Sequence, residues 1–317
     1  MKATHFLFCL LLASSLPASA QTSWRVLVGY PPGGVQDQQA RYIADRLREA
    51  TARPFVVETR AGAAGQLAVD ALIAAPADGA TLLMTADSNI SVYPHIVKKP
   101  SFSLADLAPV AHTGDYRIAF AVGQAVPASD LRAFVEWTKG QPGPVGYGTA
   151  GAGTNLHFHG LLIAQATGAR LNHVGYKGTG PAIVDLVGGH VPAGVLPLGS
   201  LVPHAKAGKL RVLAQTGDNR SPSFPDVPSF SELGQPALSF SGWYGLFAKA
   251  GTPADTVRRY NDLWLQALRT AELRDRMRAW QLDSRELSPQ QFQSHVKADT
   301  DRWGPVIRAS GFTAGSE

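Results

Sequence analysis

The feature that most constrains the fold is an alternation of short apolar runs with segments whose apolar residues recur at helical spacing. The apolar runs at 24–30, 55–58 and 81–86 are predicted strands, and the segments at 40–50 and 66–75 between them are predicted helices. Parallel strands need a long crossover, and a helix with a right-handed connection is the usual one. The sequence therefore predicts an α/β fold built on parallel sheets.

The same alternation returns in the second part of the chain. Predicted strands lie at 145–149, 171–176, 193–198 and 210–216, and predicted helices at 129–139, 155–167 and 179–187. Ser129 is expected to cap the first of these helices. A further strand at 243–248 and helices at 253–269, 271–280 and 288–308 complete the chain.

Two sheets with a late return segment predict two α/β lobes around a ligand cleft. We assign 21–121 and 243–317 to the first lobe and 122–242 to the second. The hinge is expected where the chain crosses between the lobes, near 119–123 and 242–248. A mature chain of this length is too long for one ordinary core and suits two domains.

Residues 1–20 have the three parts of a secretory signal peptide. Lys2 supplies the positive start, 6–12 form an apolar core too short to cross a bilayer, and a small-residue cleavage site ends at Ala20. Cleavage there predicts a soluble periplasmic protein. The only cysteine, Cys9, lies in this segment and comes too early for a lipid anchor, so the mature chain has no thiol or disulfide.

The charge of the chain is mildly positive and scattered. The formal net charge is +5, and it falls to +4 when Lys2 leaves with the signal peptide. No run of lysines and arginines suits a phosphate backbone, so we expect no nucleic-acid partner. A weak positive field favours the approach of anionic solutes.

The sequence contains no recognisable catalytic, metal or cofactor motif. The G-x-S-x-G elbow of a serine hydrolase does not occur. His157 and His159 are two apart on a predicted helix and face different ways, which makes a poor metal pair. Asp185 and Glu232 have no carboxylate partner at useful spacing. We predict a protein that is not an enzyme and needs no cofactor; an exported hydrolase that uses residues distant in sequence stays open.

The first candidate binding loop runs from Tyr30 to Asp37, between the first strand and a helix. Gly33 and Gly34 let the backbone approach a ligand closely. The helix start behind them offers free N–H groups and the positive end of the helix dipole, which suits an anion. The alternative is a plain tight turn in which Asp37 caps the helix.

The second candidate loop runs from Gly146 to Asn155 and also joins a strand to a helix. It contains a formal G-x-G-x-x-G, but the next strand, 171–176, ends without the acid that a dinucleotide site needs. An anion cradle and a glycine-rich turn both stay open. If the two lobes face each other, both helix starts can point into one cleft and hold a carboxylate without an arginine.

The ordered set of motifs resembles the substrate-binding receptors of the tripartite tricarboxylate transporter family, also called Bordetella uptake gene (Bug) receptors. The likeness covers essentially the whole mature chain. Its motifs include Pro-Gly-Gly-x-x-Asp at 32–37, Val-Glu-x-Arg-x-Gly-Ala-x-Gly at 57–65, Pro-x-Asp-Gly-x-Thr-Leu-Leu at 76–83, Gly-Thr-x-Gly-x-Gly-Thr-x-x-His at 148–157, Val-x-Tyr-Lys-Gly at 174–178 and Gly-Leu-Phe-Ala-x-Ala-Gly-Thr-Pro at 245–253.

The resemblance implies a type II periplasmic-binding-protein fold that closes on a small carboxylate ligand. It also implies a monomer that delivers the ligand to membrane permease subunits, while a role in sensing stays open. The ligand-binding residues that we expect are Tyr30, Gly33, Gly34, Asp37, Asp87, Ser88, Thr149, Gly151, Gly153, Thr154, His157 and Leu196. Thr154 is expected to cap its helix and to donate its hydroxyl to the ligand.

Some positions depart from the family pattern or allow two interpretations. Asp87 follows the third strand, where relatives carry small uncharged residues; facing the cleft it would repel a second carboxylate, and otherwise it caps the next turn. Pro192 and Leu196 replace acids, which hints at a more apolar ligand. Lys177 is a ligand contact or surface packing. The aromatic residues at 243–247 are core and hinge packing or a stacking surface for a ring.

Overall fold

The structure, a computed structural model, describes residues 24–314, so the predicted signal peptide lies outside the described residues. Two mixed sheets with helices on both faces confirm the α/β prediction. Within the described range, no helix is both long and apolar enough to span a bilayer.

The first sheet has six strands in the order β11-β4-β10-β3-β1-β2. These strands are β1 (Trp24–Val28), β2 (Phe55–Thr59), β3 (Thr81–Ala86), β4 (Leu107–Tyr116), β10 (Gly242–Lys249) and β11 (Leu282–Asp283). The helices of this lobe are α1 (Val35–Thr51), α2 (Gln66–Ala74), α3 (Tyr93–Ile96), α8 (Ala254–Leu268), α9 (Ala271–Trp280) and α10 (Pro289–Ser310).

The second sheet has five strands in the order β7-β6-β8-β5-β9. They are β5 (Ile118–Gly123), β6 (Val145–Thr149), β7 (Leu171–Gly175), β8 (Ala193–Pro197) and β9 (Leu210–Gln215). The helices of this lobe are α4 (Leu131–Lys139), α5 (Asn155–Thr167), α6 (Thr179–Gly188) and α7 (Leu198–Lys206).

Each sheet is buried on both faces because its strands alternate between two apolar cores. On β1, Val26 and Val28 pack in the core that includes α1 and α8, whereas Leu27 packs in the core that includes α2 and α10. On β5, Phe120 packs on the side of α4 and α5, and Ala121 on the side of α6 and α7. This is the arrangement in which both faces of a largely parallel sheet are covered.

The chain changes sheets at Arg117, not at the predicted boundary between residues 121 and 122. β4 ends at Tyr116 in the first sheet, and β5 begins at Ile118 and pairs with β8 and β9 of the second. The return lies between Gln215 and Gly242, ahead of the predicted 242–248, which is β10 itself. The apolar run of β5 did not show to which sheet it belongs.

Three strands run antiparallel where the sequence predicted parallel sheets. β10 is antiparallel to β3 and β4, the short β11 is antiparallel to β4, and β5 is antiparallel to β8 and β9. β5 and β10 each enter their sheet directly from the other lobe, on the side where the parallel strands end. Such a strand needs no crossover helix and must run the opposite way.

The cap of one helix differs from the predicted residue. Asp130, not Ser129, caps α4, since its carboxylate accepts a hydrogen bond from the backbone N–H of Ala133 at 2.8 Å. Aspartate and serine are equally good caps. The helix therefore begins one residue after the acid.

The lobes also touch behind the cleft through an apolar cluster. Ile96, Trp303 and Ile307 of the first lobe pack with Phe158 of α5 in the second. His159, next to Phe158, is fully buried and lies 4.9 Å, ring centre to ring centre, from Phe240. Burial lowers the pKa of His159 to about 3, because the charged ring would lose its hydration.

We predict that folding stability falls as the pH drops below 6.5, partly through His159. The unfolded chain takes up a proton near pH 6.5, whereas the folded protein resists protonation until about pH 3, so the stabilisation is complete above pH 6.5 and is lost towards pH 3. Urea unfolding at pH 7 and at pH 5 measures how much the free energy of unfolding decreases between the two. In His159→Leu this decrease should be smaller than in the unsubstituted protein by roughly 1–2 kcal/mol.

The exposed His190 supplies the matched control, and His190→Gln should keep the pH dependence of the unsubstituted protein. An unchanged slope in His159→Leu would contradict the assignment.

Candidate functional site

One cavity of about 440 Å³ lies between the lobes, at the ends of the strands of both sheets. Ligands of open α/β sheets bind beyond the carboxyl ends of the strands. The helix starts that line this cavity include those of α1 at 33–37, α5 at 154–156 and α6 at 178–181. Pro197 and Ser200 at the start of α7 line it as well. The sequence predicted the first two of these helix starts.

The first-lobe loop is held open towards the cavity. Gly33 has φ +96°, a conformation that favours glycine, and Gly34 is the N-terminal cap of α1. A Cβ added at either glycine would meet no atom within 4 Å, so the backbone faces open space. Gly34 offers no side chain to occupy the free N–H groups of the helix start.

Asp37 lines the cavity but is not the cap of α1, because the helix already begins at Val35. Its carboxylate accepts a hydrogen bond from the backbone N–H of Gly33 at 3.1 Å and two from the guanidinium of Arg41, both at 3.0 Å. Burial raises the pKa of Asp37, but these hydrogen bonds outweigh it and hold the pKa below its usual value. Asp37 therefore fixes the loop, and its charge is already compensated.

The second-lobe loop places Thr154 at the cavity as the cap of α5. Its hydroxyl accepts from the backbone N–H of His157 at 3.4 Å and donates to the carbonyl of Gly151 at 2.8 Å. The capping prediction is confirmed. The proton of this hydroxyl is engaged within the loop, so the expected donation to a ligand does not have a free donor here.

Other predicted residues of this loop lie behind the cavity surface. Thr149 is fully buried and lies 2.7 Å from His173 Nε2, and the ring of His157 stacks on that of His173 at 3.7 Å. Gly153 packs against Phe312 and donates its N–H to His157 Nδ1 at 3.2 Å. Gly151, as described, accepts from Thr154. These residues shape the loop and do not line the cavity.

Asp87 lies under the floor of the cavity and does not face it. It caps the turn at 88–92, where its carboxylate accepts from the backbone N–H of Ser88 at 2.8 Å. It also accepts from Tyr116 Oη at 3.0 Å and from Asn155 Nδ2 at 2.8 Å. Burial, reinforced by the nearby Asp299, raises the pKa of Asp87 well above its usual value.

Asn155 joins the two lobes at this floor. Besides Asp87, it bonds Tyr116 Oη through Nδ2 at 2.8 Å, and its backbone N–H donates to Ser88 Oγ at 3.1 Å. Ser88 Oγ in turn donates to Asn155 Oδ1 at 3.0 Å. Ser88, Tyr116 and Asn155 all line the cavity, and only Ser88 was predicted.

Leu196 is fully buried in the second lobe and does not line the cavity, whereas its neighbour Pro197 does. The reason is the strand alternation on β8, which turns consecutive side chains to opposite faces. Tyr30 lines the cavity as predicted, and Tyr244 does so as well. Trp243 instead lies in the core, where its indole N–H donates to Asp299 at 2.9 Å.

The third helix start was missed as a site. Lys177 and Gly178 to Pro181 line the cavity at the beginning of α6, and Gly178 has φ +107°. The signal was present in the sequence, since Lys-Gly-x-Gly between a strand and a helix is the same kind of glycine-containing loop as the other two. Lys177 forms no ion pair with any residue described between 24 and 314.

A separate cluster could offer metal ligands away from this cavity. The ligand atoms of His112, Asp115 and His295 lie within 4.8 Å of one another. However, Arg285 donates to both oxygens of Asp115, each at 2.7 Å. Burial raises the pKa of Asp115, but His112 and Arg285 lower it further than burial raises it. The guanidinium already balances the charge that a metal ion would balance.

Comparison with known proteins identifies the family. The sequence model of the family described as tripartite tricarboxylate transporter family receptor matches residues 39–312. Protein BugT of Bordetella pertussis is 33% identical over 304 residues, which cover 93% of this chain and 92% of BugT. The chain belongs to this receptor family. The prediction from the sequence motifs is thereby confirmed.

Solved structures place the receptor among periplasmic binding proteins. A periplasmic transporter is 32% identical, with a TM-score of 0.85 over 93% of this chain and 99% of that one. Rpa4515 of R. palustris, solved with adipate, is 28% identical with a TM-score of 0.85 over 92% and 98%. MatC of Rhodopseudomonas palustris, with bound malate, is 26% identical with a TM-score of 0.82 over 90% and 98%. The two-lobe fold prediction is confirmed.

We predict that Asn155→Ala destabilises the receptor by about 1–3 kcal/mol, because Asp87 and Tyr116 lose a buried hydrogen-bonding partner. Denaturant unfolding measures the change. Asn172→Ala on β7, where the side chain is exposed, is the matched control and should cost much less. Equal losses in the two variants would show that the floor network adds no stability.

Proposed function

We propose that this receptor captures one small carboxylate-bearing solute between its lobes and hands it, unchanged, to membrane permease subunits of a tripartite tricarboxylate-type transporter. The observation that carries the proposal is the meeting of three helix starts in one cavity between the lobes. Two similar receptors hold carboxylates, adipate in one and malate in the other, which supports the same ligand class here.

The physical basis is a set of N–H groups that have no acid opposite them. A helix start presents unpaired N–H groups and a positive partial charge, so it binds carboxylates and phosphates. The acid in the described lining, Asp37, is compensated by Arg41, and Asp87 lies beneath the surface. A ligand carboxylate would complete the hydrogen bonding at the starts of α1 and α6, which have no side-chain cap. At the start of α5 the N–H groups of Asn155 and His157 already have partners, so that helix contributes mainly its dipole.

The lining suits binding without chemistry. Among the described residues around the cavity there is no histidine, and the carboxylate present, that of Asp37, is committed to Arg41. Ser88 Oγ donates to Asn155 Oδ1, an amide oxygen, and not to a base. A nucleophile needs an adjacent base to react. We therefore propose a receptor that does not turn its ligand over.

The proposal includes export and a monomeric receptor. Residues 1–20 would be removed near Ala20, which places the mature protein in the periplasm. The rims of both lobes would then face the permease when the cleft is closed. Gel filtration of the mature protein tests the monomer, and N-terminal sequencing of periplasmic protein tests the cleavage site.

We predict that a carboxylate ligand raises the melting temperature of the ligand-stripped mature protein. At a hundred times Kd a ligand adds about 2.7 kcal/mol of stability, which corresponds to a shift of several degrees. The screen should contain mono-, di- and tricarboxylates, amino acids and aromatic acids. A folded protein that responds to no carboxylate in this set would overturn the proposal.

The same screen on glycine variants tests the helix starts. Gly34→Val and Gly180→Val place methyl groups in the open space at two of the helix starts and should reduce or abolish the shift. Gly143→Val is the matched control, because Gly143 also has open space around it and lies outside the cavity lining. Loss of the shift in all three variants would point to a general folding defect and not to the cavity.

A further inference from the structure

The charges around the cavity are nearly balanced before any ligand arrives. The formally charged residues in the described lining are Asp37 and Lys177. Asp37 is paired with Arg41, which leaves the ammonium group of Lys177 without an ion-pair partner among the described residues. One carboxylate on a ligand would balance Lys177. A second carboxylate would meet no second cation in the described lining.

Three tyrosines line the cavity, and the hydroxyl protons of two of them are engaged in hydrogen bonds. Tyr30 donates its hydroxyl to the carbonyl of Ala64 at 2.8 Å, and Tyr116 donates to Asp87 at 3.0 Å. The rings of Tyr116 and Tyr244 are 4.7 Å apart between centroids and tilted by 32°. Such ring surfaces favour an aromatic ligand, which gains apolar burial and offset contact with the rings.

Part of the remaining wall is apolar, and the hydroxyl groups of Thr179 and Ser200 also line it. Pro31, Pro181, Ile183, Leu156 and Pro197 line the cavity together with the tyrosines. A flexible dicarboxylate would place its distant charged end among these groups, where few hydrogen bonds replace its hydration. An aromatic ring would instead bury apolar surface there without losing hydrogen bonds to water. The wall therefore selects the part of the ligand that carries no charge, whereas the helix starts recognise its carboxylate.

Gln36 adds one polar feature that a carboxylate cannot satisfy. It is 9% exposed, it lines the cavity, and its Oε1 is buried without a hydrogen-bond partner. A buried acceptor without a partner costs free energy, and only a donor can satisfy it. A carboxylate has no donor, whereas a hydroxyl can donate to Oε1 or, with the amide turned over, accept from Nε2.

We propose that the receptor selects a monocarboxylic acid with a hydroxyl-bearing aromatic ring, with the carboxylate at the helix starts beside Lys177, the ring against Tyr244, and the ring hydroxyl on Gln36. This inference rests on the proposed function, since it narrows the carboxylate class of the same cavity. Neither the adipate nor the malate of the similar receptors belongs to this narrower class.

Isothermal titration of the ligand-stripped mature protein tests the proposal with benzoate, its 2-, 3- and 4-hydroxy derivatives, adipate and malate as probes. We expect one hydroxybenzoate to bind at least tenfold more tightly than benzoate, and both to bind more tightly than the two dicarboxylates. Tighter binding of adipate or malate would overturn the narrower class while leaving carboxylate capture intact. Binding of no acid at all, including those of the wider melting screen, would instead overturn the proposed function.

Variants assign the three contacts separately. Gln36→Met should lower the affinity for the preferred hydroxybenzoate about tenfold more than that for benzoate. Tyr244→Leu should weaken both aromatic acids, and Lys177→Gln should weaken both by about three- to tenfold, less at high salt because exposed charges are screened. The exposed Lys206, outside the lining, gives the matched control Lys206→Gln. A hydroxyl preference that survives Gln36→Met would overturn the role of Gln36.

Discussion

The geometry of the cleft depends on the hydrogen bonds that Asn155 forms across the lobes. Its side chain reaches Asp87 and Tyr116, and its backbone N–H reaches Ser88, all at 2.8–3.1 Å. Asn155 is the first residue of α5, so these bonds fix the start of that helix against the first lobe. The start of α1 lines the same space. The hinge and the binding surface are therefore joined at one buried polar group.

A buried carboxylate at this junction would be costly if it had no partners, and Asp87 has three. Its hydrogen bonds come from a backbone N–H, a phenol and an amide, so each oxygen of the carboxylate has a partner. The aromatic pair Tyr116 and Tyr244 covers this network on the cavity side. Gly242 is part of the same arrangement, because a Cβ there would lie 2.2 Å from the ring of Tyr116.

The sequence predicted the features that depend on residues close together in the chain. Strands and helices follow from apolar periodicity, and the two glycine loops follow from the strand-to-helix grammar around Gly33, Gly34 and Thr154. The strand alternation on β8 was not resolved, so Leu196 was placed in the cavity where Pro197 lies. The Lys177 loop has the same grammar as the other two and was detectable.

The rest depends on contacts between distant residues. Asp87 and Asn155 are 68 positions apart, and nothing near either of them shows that the two side chains meet under the cavity. Tyr116 and Tyr244 meet for the same reason, since β4 and β10 are neighbours only in the folded sheet. The change of sheet at Arg117 was also not predictable, because an apolar strand has the same sequence pattern in either lobe. Fold class is thus a local property here, whereas the site is a property of the assembled lobes.

The most direct test of a carboxylate held between helix starts is hydrogen exchange of the mature protein, with and without the acid that raises its melting temperature most. Amides at the starts of α1, α5 and α6, in the segments 33–38, 153–158 and 178–183, should exchange more slowly with the ligand, while those of α4 should not change. Slower exchange in the segments of both lobes is the predicted result. Saturated binding with slower exchange in one lobe alone, or in neither, would contradict capture between the lobes.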